Sequence, residues 1–448
     1  VSSVLSPKAS ADATAGSNDY SPLNNKLGNE DRRFHDWYRF VLSFPPHLVR
    51  KYIDDFKLSQ GSRILDPFCG TGTTLVEAKL LGYKAVGIEA NPFAHFASST
   101  KLDWRINPEE FITCATGIAN LTYKHLLDEG IDDEWEFDSK ETNKMLKTLD
   151  LEKTKLLLRN SISLVPLHKC ITLLETIERE SLPSLKAHLK LAFAKAVVFR
   201  ISNLKFGPEV GVGKIKSDIP VISTWMSEIR KMQQDLTTVV NRPLLESRVI
   251  LGDARDAKKF LSPQSVDAVI TSPPYPNEKD YTRTTRLESV LLGFISNREE
   301  LRQHKKNLVR SNTRSVYKDD LDHLWIESHP RIRTLAQEIE KRRIELGKTS
   351  GFERLYARVT ELYFGGMARH LSELREFLKP GAQLAYVVGD QASYLRIMIR
   401  TGELLAEIAT HLGYEVSKID LFRTRFATAT GEQLREEVVV LKWPGRKH

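Results

Sequence analysis

Arg63-Ile64-Leu65-Asp66-Pro67-Phe68-Cys69-Gly70-Thr71-Gly72-Thr73-Thr74 is the stretch that decides the fold of this chain. A short apolar strand ends in an acid, a glycine-bearing turn follows, and residues 75–81 predict a helix. Gly70 and Gly72 let the backbone approach a ligand closely, and the first turn of a helix presents N–H groups without intrahelical partners. A second apolar run, residues 85–88, ends in Glu89. An acid at the tip of the second strand binds ribose hydroxyls in a doubly wound fold. A nucleotide-free α/β turn with a surface Glu is the plainer alternative, and the combination argues against it. No Gly-Lys-Ser/Thr follows, which excludes a Walker phosphate loop.

A second signal stands far downstream, at Thr271-Ser272-Pro273-Pro274-Tyr275. The largely apolar residues 266–270 read as a buried strand that stops at this proline-stiffened corner. Two prolines fix φ and remove two N–H donors, leaving carbonyls free to accept. Ser272 adds a hydroxyl, and Tyr275 a flat face with a polar tip. This set suits a planar base carrying an exocyclic amine, with acceptors for its N–H bonds and a ring to stack on. Alone, the corner would read equally well as a simple strand stop.

Together the two motifs resemble the S-adenosylmethionine-dependent amino-methyltransferases of DNA, which modify N4 of cytosine or N6 of adenine. The resemblance implies a Rossmann-like class I methyltransferase sheet, an α/β fold mostly parallel with an antiparallel last strand, plus two largely helical insertions. It implies S-adenosyl-L-methionine bound by Asp66, Pro67, Phe68, Cys69, Gly70, Thr71, Gly72 and Thr73. Gly87-Ile88-Glu89-Ala90-Asn91-Pro92 resembles the ribose-binding segment, giving Glu89 and Ala90. Leu251-Gly252-Asp253-Ala254-Arg255 resembles the segment whose acid contacts the adenine, giving Asp253 and Ala254. Phe44-Pro45-Pro46-His47-Leu48-Val49 resembles the stretch near the methionine end. Leu378-Lys379-Pro380-Gly381, then residues 384–388 and Gly389-Asp390, resemble the fifth strand and its preceding turn. Asp66, Gly70, Gly72 and Glu89 are expected to line one cleft, with Ser272 and Tyr275 at its mouth.

The implied chemistry is direct transfer from a sulfonium to an amine. Ser272 and the Pro273 carbonyl would hold the amine N–H bonds, Pro274 would stiffen the corner, and Tyr275 would stack on a flipped base. Ring-carbon methylation needs a cysteine nucleophile in a Pro-Cys pair, and none occurs. Ser272, where the family's adenine enzymes commonly carry Asp, points to cytosine N4 in DNA, with adenine N6 as runner-up. An RNA guanine-N2 methyltransferase, which shares the motif order but usually carries Asp or Asn at that place, is a further alternative; a protein-glutamine methyltransferase, which would show Asn there, ranks lower. A catalytically silent nucleic-acid-binding partner is the alternative from another class, although such proteins usually lose the acids or the proline corner, both present here.

Composition agrees. The 448 residues suffice for two or three domains, and 41% hydrophobic content allows a full core. Cys69, Cys114 and Cys170 form no CxxC pair, so neither a disulfide framework nor a metal site is expected. No apolar run approaches a membrane span and no secretory leader is visible, so a cytoplasmic protein is expected. Net charge is +8, from 66 basic and 58 acidic residues, a modest bias toward a polyanionic partner. DNA is the expected partner, with a restriction or defence component as a second.

Along the chain, residues 1–30 read as a mobile N-terminal tail and 31–99 as the cofactor-binding part of the core. Residues 100–247 read as a helical insertion, 248–275 as core strands with the catalytic motif, 276–351 as a charged helical insertion and candidate recognition region, and 352–448 as the rest of the core. Residues 34–56 look helical apart from Pro45-Pro46, with His35, Trp37, Tyr38 and Phe40 packing that helix, and residues 181–201 read as one helix. Arg283, Arg298, Arg302, Lys305, Lys306, Arg310 and Arg314 are the candidate phosphate contacts. A solvated helix face is the competing reading, since Glu299 and Glu300 are interleaved. The glycine-rich stretch around Phe206, Gly207 and Gly211 reads as a connecting loop.

Overall fold

The structure, a computed structural model, describes residues 27–40, 43–134, 146–207, 209–243, 245–276, 279–392, 394–427 and 431–445. The expected N-terminal tail lies outside the described residues except for 27–30. Nine strands are present among the described residues: β1 Arg63–Asp66, β2 Lys84–Glu89, β3 Leu204–Phe206, β4 Val210–Val212, β5 Ser247–Leu251, β6 Val266–Thr271, β7 Leu378–Gly389, β8 Glu415–Ala427 and β9 Glu432–Lys442. Seven of them form one sheet in the order β5-β2-β1-β6-β7-β9-β8. Neighbours from β5 to β7 pair in parallel, while β9 runs antiparallel to both β7 and β8. This is the Rossmann-like methyltransferase sheet that the motifs imply.

The alternation of strand side chains sends the sheet's two faces into two cores. Ile64, Ala85, Ala268, Ile270, Ala385 and Val387 belong to one, and Leu65, Val86, Val269, Leu384, Tyr386 and Val388 to the other. Parallel strands covered on both faces read as continuous apolar runs, which is why β1, β2 and β6 were visible in the sequence. Helices Pro108–Asp128, Leu164–Glu180, Lys186–Ala196 and Ile222–Thr237 of the first insertion supply the first core. Helices Pro330–Glu345 and Tyr356–Leu374 supply the second.

Several expectations are corrected. Ahead of the Pro45-Pro46 break, the described residues of 34–44 hold only a single turn, His35–Trp37, and not a helix; the helix Pro46–Asp55 does start at the break, where a proline costs nothing because its missing N–H has no intrahelical partner. The helix expected over 181–201 begins only at Lys186 and ends in a π turn, Val197–Ile201. Pro380-Gly381 does not precede β7 but interrupts it: Val266 pairs with Leu378 and Ala268 with Gln383, so extra residues bulge out between. Gly381 takes φ +86° there. The glycine-rich stretch forms the β3–β4 hairpin, with Pro208 outside the described residues.

The strand order reverses between β1 and β6, and open α/β sheets bind ligands at the carboxyl ends of strands flanking such a point. Asp66, Glu89, Asp253 and Thr271 all end or follow strands at that edge.

Candidate active site

A cleft of about 580 Å³ opens at this edge, within the range of organic cofactor sites. Its wall includes residues 67–71, Thr73, Glu89, Ala90, Asp253, Ala254 and the whole corner Ser272-Pro273-Pro274-Tyr275. The two motifs, far apart in sequence, therefore meet in one cavity. Asp66 and Gly72 stand behind its wall. Asp66 is fully buried, and its Oδ1 accepts from Thr271 Oγ1 at 2.6 Å and from Phe68 N–H at 3.1 Å. The acid of the first motif thus ties down the threonine of the second. Burial pushes the Asp66 carboxyl up to about 6, against the hydrogen bonds from Thr271 and Phe68. Gly72 begins the helix Thr73–Leu80 at φ +84°, and a Cβ there would lie 3.0 Å from Cβ of Ser98. Backbone conformation and helix packing require that glycine, not a ligand.

Gly70 differs. At φ +52° a Cβ would meet nothing nearer than the Phe40 ring at 3.7 Å, so the turn presents an open backbone edge to the cleft. Its N–H donates to Glu89 Oε2 at 2.7 Å, while Asn91 N–H donates to Oε1 at 2.8 Å. Withdrawal from bulk water pushes the Glu89 carboxyl up to about 7. Asp253 is gripped by Arg255, with Nη2 at 2.6 Å and Nε at 2.9 Å. Arg255 also reaches Asp322 in the second insertion, so a buried ion network links the cleft to that insertion. An acid for a ribose diol, an open glycine turn and the apolar wall of Phe68 and Ile88 fit S-adenosylmethionine.

At the corner, the Ser272 hydroxyl and the Tyr275 ring both line the cleft, and Ser272 opposes the upward shift of the Tyr275 phenol. Tyr275 N–H donates to Tyr281 Oη at 3.4 Å. Burial, and then the Glu436 carboxylate, push the Tyr275 phenol far up, so it stays protonated. Glu436 is in turn held by Arg423 at 2.6 Å and Arg425 at 3.0 Å. The sequence places these residues only in the rest of the core, 352–448, and does not reveal this cluster. The alternation Arg423-Thr424-Arg425 opposite Glu436 was the available signal, but it needed the hairpin register. Tyr38 and Phe40, expected only to pack, also line the cleft.

The basic run divides. Lys305 is buried, with Nζ 2.7 Å from Asp280, and Arg310 is buried against Asp320 at 2.7 Å. These two are structural cations, which corrects their reading as phosphate contacts: carboxylates in neighbouring loops hold them. Arg298, Arg302 and Arg314 are exposed, with Arg302 over Tyr317 at 5.5 Å and Arg314 over Phe352 at 5.7 Å. Lys306 pairs with Asp319 at 3.0 Å and Arg283 with Glu209 at 3.6 Å.

Comparison with known proteins agrees with this geometry. Residues 17–98 match the N6/N4 DNA methylase family. The chain is similar to the type II methyltransferase M.BsoBI of Geobacillus stearothermophilus, at 27% identity over 90% of this chain and 84% of that protein. It is similar to the type II methyltransferase M.AvaI of Nostoc sp. strain PCC 7120, at 25% identity over 87% and 81%. Among solved structures, TrmN from Thermus thermophilus overlaps 92% of this chain at 12% identity and TM-score 0.31, with this chain spanning 52% of that one. The two motifs, the sheet that joins them in one cleft and the similarity to type II methyltransferases together support a DNA amino-methyltransferase of the N6/N4 type.

Proposed function

We propose that the chain methylates the N4 amine of a flipped cytosine in DNA. The observation that carries this reading is Ser272: a neutral hydroxyl stands in the cleft beside Tyr275, where adenine enzymes of the family commonly carry Asp. The Ser272 hydroxyl has lone pairs for an amine N–H, and the Pro273 carbonyl offers a second acceptor. An exocyclic amine attacks poorly because its lone pair is delocalised into the ring. Acceptors on both N–H bonds favour a pyramidal, more nucleophilic nitrogen. Tyr275 stacks on the base and fixes its approach, where positioning provides much of the acceleration. Bound S-adenosylmethionine supplies the electrophilic methyl group; the protein supplies place and electrostatics.

The exposed cations Arg298, Arg302 and Arg314 are proposed to contact the DNA backbone. A type II modification role is proposed from the similarity to the type II methyltransferases M.BsoBI and M.AvaI. Nucleoside mass spectrometry of DNA methylated by the purified protein tests the proposal. N4-methylcytosine is expected. Finding N6-methyladenine alone would move the substrate to adenine within the same family.

A further inference from the structure

We propose that Arg39 binds the amino-acid carboxylate of the cofactor. This rests on the reading of the cleft as an S-adenosylmethionine site. Strand order sets the direction of an extended ligand: Asp253 follows β5, Glu89 ends β2, and the Gly70 turn follows β1. A nucleoside placed against Asp253 and Glu89 carries its other end past Gly70 and Thr71. Arg39 lines the cleft together with these two residues.

Three observations make Arg39 an anion site and not a packed surface arginine. Its Nη2 donates to Ser43 O at 2.7 Å, while its buried Nε has no partner. Among the described residues no carboxylate lies within ion-pair distance of its guanidinium, and leaving a buried donor unpaired is costly. Lys101 then fixes the segment to the cofactor turn: its buried Nζ donates to Tyr38 O at 2.9 Å and Thr71 O at 2.7 Å. Finally, the local charge is unbalanced. Burial, then the charges of Arg39 and Lys195, hold the Lys101 ammonium down at about 7, and Asp36, which opposes this, is itself paired with Lys195 at 2.9 Å. An incoming carboxylate would relieve this positive field and accept from a guanidinium whose fork geometry suits it.

S-adenosylhomocysteine and 5′-methylthioadenosine share the nucleoside and differ in the amino-acid end, so calorimetry of both ligands isolates the contact. Wild type is expected to prefer S-adenosylhomocysteine, and Arg39→Gln to weaken that ligand about tenfold or more while keeping methylthioadenosine affinity within about twofold. Retained methylthioadenosine binding also shows that the variant is folded. Arg39→Lys, which keeps the charge, is expected to recover part of the loss. Equal loss of both ligands, loss of neither, or a lysine variant no better than glutamine overturns the assignment. Unchanged ligand affinities with weakened DNA binding would also overturn it and make Arg39 a phosphate contact. Wild type binding neither ligand would instead sink the cofactor reading itself.

Discussion

The ring of Tyr275 lies against the backbone of Gly389, so that a Cβ on residue 389 would stand 2.9 Å from Tyr275 Cε2 and 3.4 Å from Glu436 Cγ. Gly389 does not need positive φ; it needs the space. Gly389→Ala is therefore expected to push the Tyr275 ring into the cleft without touching the cofactor turn. A displacement near 1 Å can cost roughly a hundredfold in rate, so kcat should fall by about ten- to a hundredfold with cofactor affinity unchanged. Single-turnover methyl transfer and calorimetry measure the two quantities. An alanine variant with wild-type kcat would show that the ring's position is not critical.

Tyr275 itself separates stacking from hydrogen bonding. Tyr275→Ala removes the face and should lose most activity while cofactor affinity persists, because stacking acts on the base and not on the sulfonium. Tyr275→Phe keeps the face and loses only the hydroxyl that lines the cleft with Ser272. It should retain activity to within about tenfold, the scale of one hydrogen bond. If Phe is as damaged as Ala, the hydroxyl and not the ring is the working group.

Much of the cofactor half of the site was legible because Asp66 to Thr73 are contiguous after one apolar strand and Glu89 ends the next. Asp253, beyond a long insertion, was reached only through the family resemblance. The surroundings of Tyr275 were not legible, since Gly389, Glu436 and Arg423 come from strands whose register only the folded sheet defines. The same holds for charge. Lys305 and Arg310 look like their exposed neighbours in sequence, and only the positions of Asp280 and Asp320 make them interior.

That division of the basic run has opposite consequences for stability and for DNA binding. Lys305→Ala leaves Asp280 buried without its partner, and breaking a buried pair typically costs about 3–5 kcal/mol. The melting temperature should drop markedly. Arg302→Ala and Arg314→Ala remove exposed cations and should leave the melting temperature nearly unchanged. Each should weaken DNA binding and lower the slope of log affinity against log salt by about one. Thermal melts and salt titrations of the three variants decide it. A fully stable Lys305→Ala would contradict the buried-pair assignment, and unchanged salt slopes would remove Arg302 and Arg314 from the DNA surface.

Asp66 gives a pH signature of the core itself. Its carboxyl titrates near 3.9 in an unfolded chain and at about 6 in the folded one, because burial disfavours the charged form. Between these values the folded protein holds more protons than the unfolded, so stability must fall as pH rises. The contribution is complete below about pH 4, is lost as pH climbs through about 6, and is constant above. Asp66→Asn removes this titration. The asparagine Oδ1 can still accept from Thr271 and Phe68, and its amide nitrogen would occupy the position of Oδ2, which has no partner. The variant should therefore gain stability relative to wild type between pH 5 and pH 8 in the unliganded protein. The full effect, on the order of 3 kcal/mol for a shift of about two units, is reached near neutrality. Denaturant unfolding of both proteins across that range measures the difference. A stability difference that does not change with pH would mean that Asp66 ionises in the folded core as freely as in water.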